Sequence, residues 1–164
     1  MDCKLPTLCL CLTLAACAYR PPLLTLRAGQ ATEAEVMATA GAPTRRWQDA
    51  DGGSTLEYTT QPWGTVCWMV KLDVGGRLIG VSDALSLDNR LKIEPGMDKA
   101  EVSRRLGVHR SVEYFVLSDE EVWDWNIENT GPGIETRFNV HFRDGVVLRT
   151  SQSYIYPRDG GFDL

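Results

Sequence analysis

Asp98-Lys99-Ala100-Glu101-Val102, closing at Leu106-Gly107, and Thr32-Glu33-Ala34-Glu35-Val36, closing at Ala40-Gly41, read as two copies of one short helix. Thr32 with Glu35, and Asp98 with Glu101, have the spacing of a capping box, in which each side chain satisfies a backbone N–H the helix cannot bond. Met97 and Val102 add the spacing of a hydrophobic staple. Gly41 and Gly107 fall where a left-handed residue ends a helix, and Pro43 blocks continuation of the first. Helices this short cannot stand alone in water, so each needs a larger surface to pack on.

Moving outward, the shared core Ala-Glu-Val-x-x-x-(Ala/Leu)-Gly is followed in both halves by the same landmarks in the same order. Leu56-Glu57-Tyr58 corresponds to Trp123-Asp124-Trp125, and Val70-Lys71-Leu72 to Phe138-Asn139-Val140, with a drift of a residue or two. Such an internal repeat predicts two copies of one structural unit. Residues 66–74 alternate, with Val66, Trp68, Val70, Leu72 and Val74 on one face and Cys67, Met69, Lys71 and Asp73 on the other. Ile134, Thr136, Phe138, Val140 and Phe142 alternate with Glu135, Arg137, Asn139 and His141. Period two over such a length predicts half-buried antiparallel strands.

Gly75-Gly76 and Asp144-Gly145 mark hairpin turns into Leu78–Val81 and Val146–Thr150. Further strands are predicted around 44–48, 54–59, 111–116 and 121–127, with a short helix within 83–92. Trp123, Trp125 and Ile127 share a face and are expected to cover the helix. The fold class is therefore α+β, as two tandem units of short helices on a three- to four-stranded antiparallel sheet. If the units dock, the first sheet's Cys67 and Met69 face, less polar than the Glu135–His141 face of the second, is the expected seam.

The N-terminus sets a location. Leu5 to Ala15 is apolar apart from two threonines and two cysteines, too short to span a membrane, and ends in small residues as a secretory signal does. Leu14-Ala15-Ala16-Cys17 resembles the lipobox of a bacterial lipoprotein, which implies cleavage before Cys17 and lipid attachment to its sulfur. Residues 1–16 are then a signal peptide, 17–25 a proline-containing extended tether, 26–85 the first unit, 86–156 the second and 157–164 a tail. Of the five cysteines, Cys3, Cys9 and Cys11 leave with the signal, and lipid occupies Cys17, so Cys67 has no disulfide partner. Asp2 and Lys4 cancel, leaving the net charge at −5, which argues against nucleic acid as a partner. Ala18, where an acid often directs inner-membrane retention, points to the outer membrane, periplasmic side.

Gly96-Met97-Asp98 through Leu106-Gly107, with the Trp123-x-Trp125 strand and the 138–142 hairpin, resembles the SmpA/OmlA (BamE-like) family of outer-membrane lipoproteins. Val108-His109 stands where that family's pattern has a proline. The first repeat keeps Gly41-Ala42-Pro43 but departs at Gly29-Gln30-Ala31-Thr32. The resemblance covers most of residues 26–154 and implies a non-enzymatic protein of outer-membrane protein assembly or envelope integrity, with barrel-assembly components as partners. Tandem copies of a similar unit in the β-lactamase inhibitory proteins imply an alternative, an inhibitor-like or ligand-binding lipoprotein.

Candidate chemistry is sparse. His109 and His141 lack further zinc ligands at recognisable spacing beyond Cys67, so neither a metal nor a cofactor is expected. Cys67 has no nearby His to lower its pKa, and no catalytic set is expected. Asp119-Glu120-Glu121 reads as a solvated turn. Trp63, in Gln61-Pro62-Trp63-Gly64, is either a partner anchor at a turn tip or a ring folded back on the sheet edge. Trp63 and Met69 are the partner-binding candidates, and Cys17 the lipidation site.

Overall fold

The computed structural model describes residues 21–157. Two four-stranded antiparallel sheets follow one another along the chain, each in meander order and each preceded by a short helix, which makes an α+β fold of two units. In the first unit α1 (Glu33–Ala40) leads into β1 (Arg45–Gln48), β2 (Ser54–Thr59), β3 (Cys67–Leu72) and β4 (Leu78–Asp83). After α2 (Leu87–Arg90), α3 (Lys99–Leu106) leads into β5 (Ser111–Phe115), β6 (Glu120–Gly131), β7 (Ile134–Arg143) and β8 (Val146–Ile155).

Both capping boxes form. Thr32 and Asp98 accept from the backbone N–H of Glu35 and Glu101, whose carboxylates accept from the cap residues' own N–H at 2.7 and 2.9 Å. Gly41 and Gly107 end the helices at φ +79° and +76°, a conformation that glycine adopts without the Cβ penalty. Each helix start is also tied to the last strand of its sheet. Gly29 and Ala31 exchange backbone bonds with Leu78, and Gly96 and Met97 do the same with Val147. The repeat therefore extends to the tertiary hydrogen bonds.

Val36 of α1 packs with Leu56, Val70, Leu72 and Leu78 on one face of the first sheet. Val102 and Leu106 of α3 pack with Trp123, Trp125, Phe138, Val140 and Phe142 of the second. This second core also takes in Cys67, Met69, Ala84 and Leu85. The order is thus α1, first sheet, α3, second sheet, with α3 and its C-terminus against the back of the first sheet. Covering an exposed Met or Leu contributes roughly 1.5–3 kcal/mol, so the seam is part of the folding core.

Two expectations change. Residues 22–25 of the expected tether form a 3-10 turn, and Leu23 is buried with Leu56 and Val70, because Pro21 and Pro22 set up the turn and the first sheet has an apolar slot beside α1. Of Asp119-Glu120-Glu121, only Asp119 lies in the turn. Glu120 is buried at the start of β6, where three basic side chains converge on its carboxylate, and Glu121 pairs with Lys99 at 2.7 Å.

Candidate functional site

Alternation along β6, β7 and β8 divides the second sheet into an inner face on α3 and an outer, polar face. Asp124 and Asn126 of β6 lie opposite Asn139 and Arg137 of β7, which lie opposite Ser151 and Ser153 of β8. β5 is short and stops pairing at Asp124, which leaves the edge of β6 open at Asn126. Gln61 of the first unit fills that gap. Its carboxamide donates to the Asn126 carbonyl at 2.8 Å and accepts from the Asn126 N–H at 3.2 Å, as a neighbouring strand's peptide would. Asn126 Nδ2 donates in turn to the Pro62 carbonyl at 2.7 Å.

The loop is closed at its base by Thr60, whose N–H and hydroxyl both donate to the Val66 carbonyl. On this braced loop Trp63 is 93 % exposed, so it is not folded back on the sheet edge. An indole contributes most to binding when a partner desolvates it. Beside it lies a groove of about 370 Å³ lined by Pro62, Trp63, Asn126, Asn129, Glu135 and Arg137. A second cavity of about 280 Å³ continues along the face past Phe115, Asp124 and His141, and Arg110 and Arg137 border both.

Most charges on this face are matched. Arg110 clasps Asp124 with Nε and Nη2, and the Ser111 hydroxyl donates to the same carboxylate. Glu120 takes bonds of 2.7 Å from both His141 Nδ1 and Arg149, with Arg143 at 3.7 Å. The His141 bond and the surrounding cations hold the Glu120 carboxyl below the usual carboxylate range. Arg137 is the exception. Its guanidinium makes no hydrogen bond among the described residues, its Nε is buried without a partner, and its nearest carboxylate, Glu135, is 3.6 Å away.

Ser151, His141 and Glu120 are spaced as a hydrolytic triad would be, at 2.8 and 2.7 Å. The surroundings argue for a structural network. Ser151 lies in the ladder of β8 opposite Asn139, whose amide donates to its hydroxyl, and the Glu120 carboxylate is already neutralised by Arg149. A nucleophile needs backbone N–H groups aimed beside it for the oxyanion, whereas the N–H groups of the edge strand β8 lie in the plane of the sheet and the Ser151 hydroxyl stands off its face.

The other candidates are placed as follows. Met69 is 8 % exposed and its face is covered by the second unit, so it serves the seam and offers nothing to an external partner. Cys67 is fully buried, and burial, with Glu57 nearby, pushes its thiol up to about 12, which removes it as a nucleophile. His109 stacks on Trp123 at 4.4 Å, and burial lowers its pKa. Cys17 lies outside the described residues. Among the described residues no three His, Cys, Asp or Glu side chains gather as a metal site would require, and no helix is long and apolar enough to cross a membrane.

Arg110, Asn126 and Arg137 were not singled out by sequence reasoning. Their signal was the polar face of the 134–142 alternation, which by itself does not distinguish a binding face from a solvated one.

No protein-family model matches the chain, and no curated protein matches it. Among solved structures it is similar to a candidate β-lactamase inhibitor protein from Streptococcus mutans, at 12 % identity and a TM-score of 0.33, with 74 % of this chain and 82 % of that one covered.

Proposed function

We propose that this chain is a binding protein of the bacterial envelope, held by lipid on Cys17 at the periplasmic side of the outer membrane. In this reading it engages another protein through Trp63 and the outer face of the second sheet. Its role is the BamE-like one of supporting outer-membrane protein assembly or envelope integrity, without an enzymatic step of its own. The lipobox-like Leu14-Ala15-Ala16-Cys17 supports the location. The observation that carries the binding mode is Trp63, 93 % exposed on a loop that Gln61 and Asn126 fix in place. A solvated indole on a braced loop is already oriented for a partner, which lowers the ordering cost of association.

A photo-crosslinking amino acid at position 63, activated in intact envelopes, tests this. Crosslinks to barrel-assembly components support it, whereas a residue that captures nothing above an exposed control position such as Val74 removes Trp63 as the anchor. Cys17→Ser should abolish palmitate incorporation and release the protein from membranes. A variant that labels and fractionates like wild type rules out the lipid anchor.

A second reading, an inhibitor-like protein that holds a secreted enzyme, is favoured by one feature: the groove is built jointly, Pro62 and Trp63 from one unit and Asn126, Glu135 and Arg137 from the other. Position-63 crosslinks to a secreted hydrolase, with loss of that hydrolase's activity, would select it.

A further inference from the structure

Arg137 lies at the centre of the outer face, between the two cavities, with a side chain only 25 % exposed. A guanidinium carries five N–H donors and no acceptor. Taking one this far out of water without acceptors is costly, which is why largely buried arginines are usually paired. Arg110, its neighbour on the same face, shows the ordinary solution, with its fork closed on Asp124. Around Arg137 the facing residues are Asn126 and Ser153, neither ionisable, and among the described residues the one carboxylate within 4 Å, Glu135, is 64 % exposed and 3.6 Å away. Among the described residues the fork therefore makes no hydrogen bond and has only the long contact to the exposed Glu135, at the mouth of a groove roofed by an uncovered indole.

We infer that Arg137 is an anchor for a carboxylate presented by a protein partner, received in the groove with the attached chain lying against Trp63. This rests on the reading that the Trp63 face is a protein-binding surface, and it names the chemistry that the surface selects. A carboxylate matches the planar fork through two parallel charge-assisted bonds. Arg110 is already neutralised by Asp124, so the charge offered to an incoming group is that of Arg137, contested at close range by Glu135 and, from the adjoining cavity, by Glu113. Glu135 thus competes with the ligand: its removal should strengthen binding where loss of Arg137 abolishes it. The carboxylate has two sources, an Asp or Glu side chain within a partner or the end of a partner's chain, and both present the same group.

Three small probes separate the possibilities: N-acetylglutamic acid α-amide, which carries only a side-chain carboxylate; N-acetylglutamine, which carries only a terminal one; and N-acetylglutamine amide, which carries none. Each is titrated into the ¹⁵N-labelled full chain while the Arg137 Nε–H and Trp63 Nε1–H signals are followed. A saturable shift of both signals with one or both acids, absent with the neutral amide, is expected. Binding should weaken by about tenfold or more in Arg137→Gln, in Arg137→Lys, which keeps the charge but loses the fork, and should tighten in Glu135→Gln. Equal response to the neutral amide, no saturable shift with either acid, or an unchanged titration in a folded Arg137→Gln overturns the inference. Position-63 crosslinking is independent of these probes, so a captured partner with failed titrations removes the carboxylate anchor while leaving the protein-binding reading intact.

Discussion

The carboxyl of Glu57, fully buried on the back of the first sheet, accepts a 2.7 Å hydrogen bond from the backbone N–H of Val108, the residue that follows the cap of α3 in the second unit. The other carboxyl oxygen accepts from Trp47 Nε1 at 3.2 Å. One side chain thereby satisfies a helix-end amide in one unit and an indole in the other, and the seam closes without an unpaired polar group at this point. Glu57→Ala leaves two half-buried donors without these acceptors and opens a cavity, for a loss on the order of 3 kcal/mol. Glu57→Gln keeps an acceptor for Val108 but turns an NH₂ group toward one donor, so it should fall between Ala and wild type. Urea unfolding midpoints of the three proteins check the order, which a purely local role for Glu57 would not produce.

Because Cys67, Met69, Ala84 and Leu85 belong to the same core as Val102, Leu106 and Trp125, the two units should unfold together. A single transition, coincident by tryptophan fluorescence and far-ultraviolet circular dichroism, is expected. A fragment ending at Leu85 should lack cooperative unfolding, since its Cys67 and Met69 face would meet water. Two separated transitions in the intact chain would show that the seam contributes little.

Gly41 and Gly107 occupy the same cap position in the two repeats but have different neighbours. A Cβ on Gly41 meets nothing within 4 Å, whereas one on Gly107 would lie 2.5 Å from Cys67 Sγ and 2.8 Å from Glu57 Oε1. Both substitutions to alanine incur the penalty of a positive φ with ψ near −164°, a region essentially reserved for glycine, of roughly 1–3 kcal/mol. Gly107→Ala must also push the seam apart, which adds about 1–3 kcal/mol. Gly41→Ala should be the milder by at least about 1 kcal/mol in the same denaturation series. Adding Cys67→Ala should narrow the Gly107 difference, because it removes the nearer clashing atom.

These pairs also show what a single sequence can disclose. The capping boxes, the helix-ending glycines and the strand alternation were legible because each is settled by residues a few positions apart: Thr32 with Glu35, Asp98 with Glu101, Phe138 with Val140 and Phe142. The seam was half legible, since Cys67 and Met69 are less polar than their counterparts in the second repeat. Glu57 was not, because an acid in an alternating strand reads as solvated until a second layer covers that face. Nor could Gln61 be matched to Asn126, or Arg137 told from a solvated arginine. Both depend on where β5 stops and where the first unit's loop arrives, and neither is encoded by nearby residues.

Trp63 and Trp125 mark opposite ends of the exposure scale, at 93 % and 0 %. Trp63→Ala should shift stability by no more than about 0.5 kcal/mol while abolishing position-63 contacts with a partner. Trp125→Ala removes a ring packed among Val102, Leu106 and Phe138 and should lower stability by about 3–5 kcal/mol. Unfolding midpoints measured beside envelope pull-downs separate the two. A large stability loss in Trp63→Ala would mean that its indole serves the fold.

The protein should lose stability in two steps as pH falls. His109 is stacked on Trp123, and its burial lowers its pKa from 6.5 despite the nearby Asp124 carboxylate. Between that lowered value and 6.5 the unfolded chain takes up a proton that the folded one does not, so stability increases with pH across this window. The contribution is complete above 6.5 and declines below it. Glu121, bonded to Lys99, and Glu33, bonded to Arg46, titrate below their ordinary 4.5, and their stabilisation is lost only as pH falls through that lower range. Denaturation midpoints from about pH 7.5 down to about pH 3 should therefore show a first decline beginning near 6.5 and a second below 4.5. His109→Phe keeps an aromatic ring on Trp123 but cannot take the proton, so it should flatten the first decline and leave the second. A first decline that persists unchanged in His109→Phe would overturn its assignment to His109.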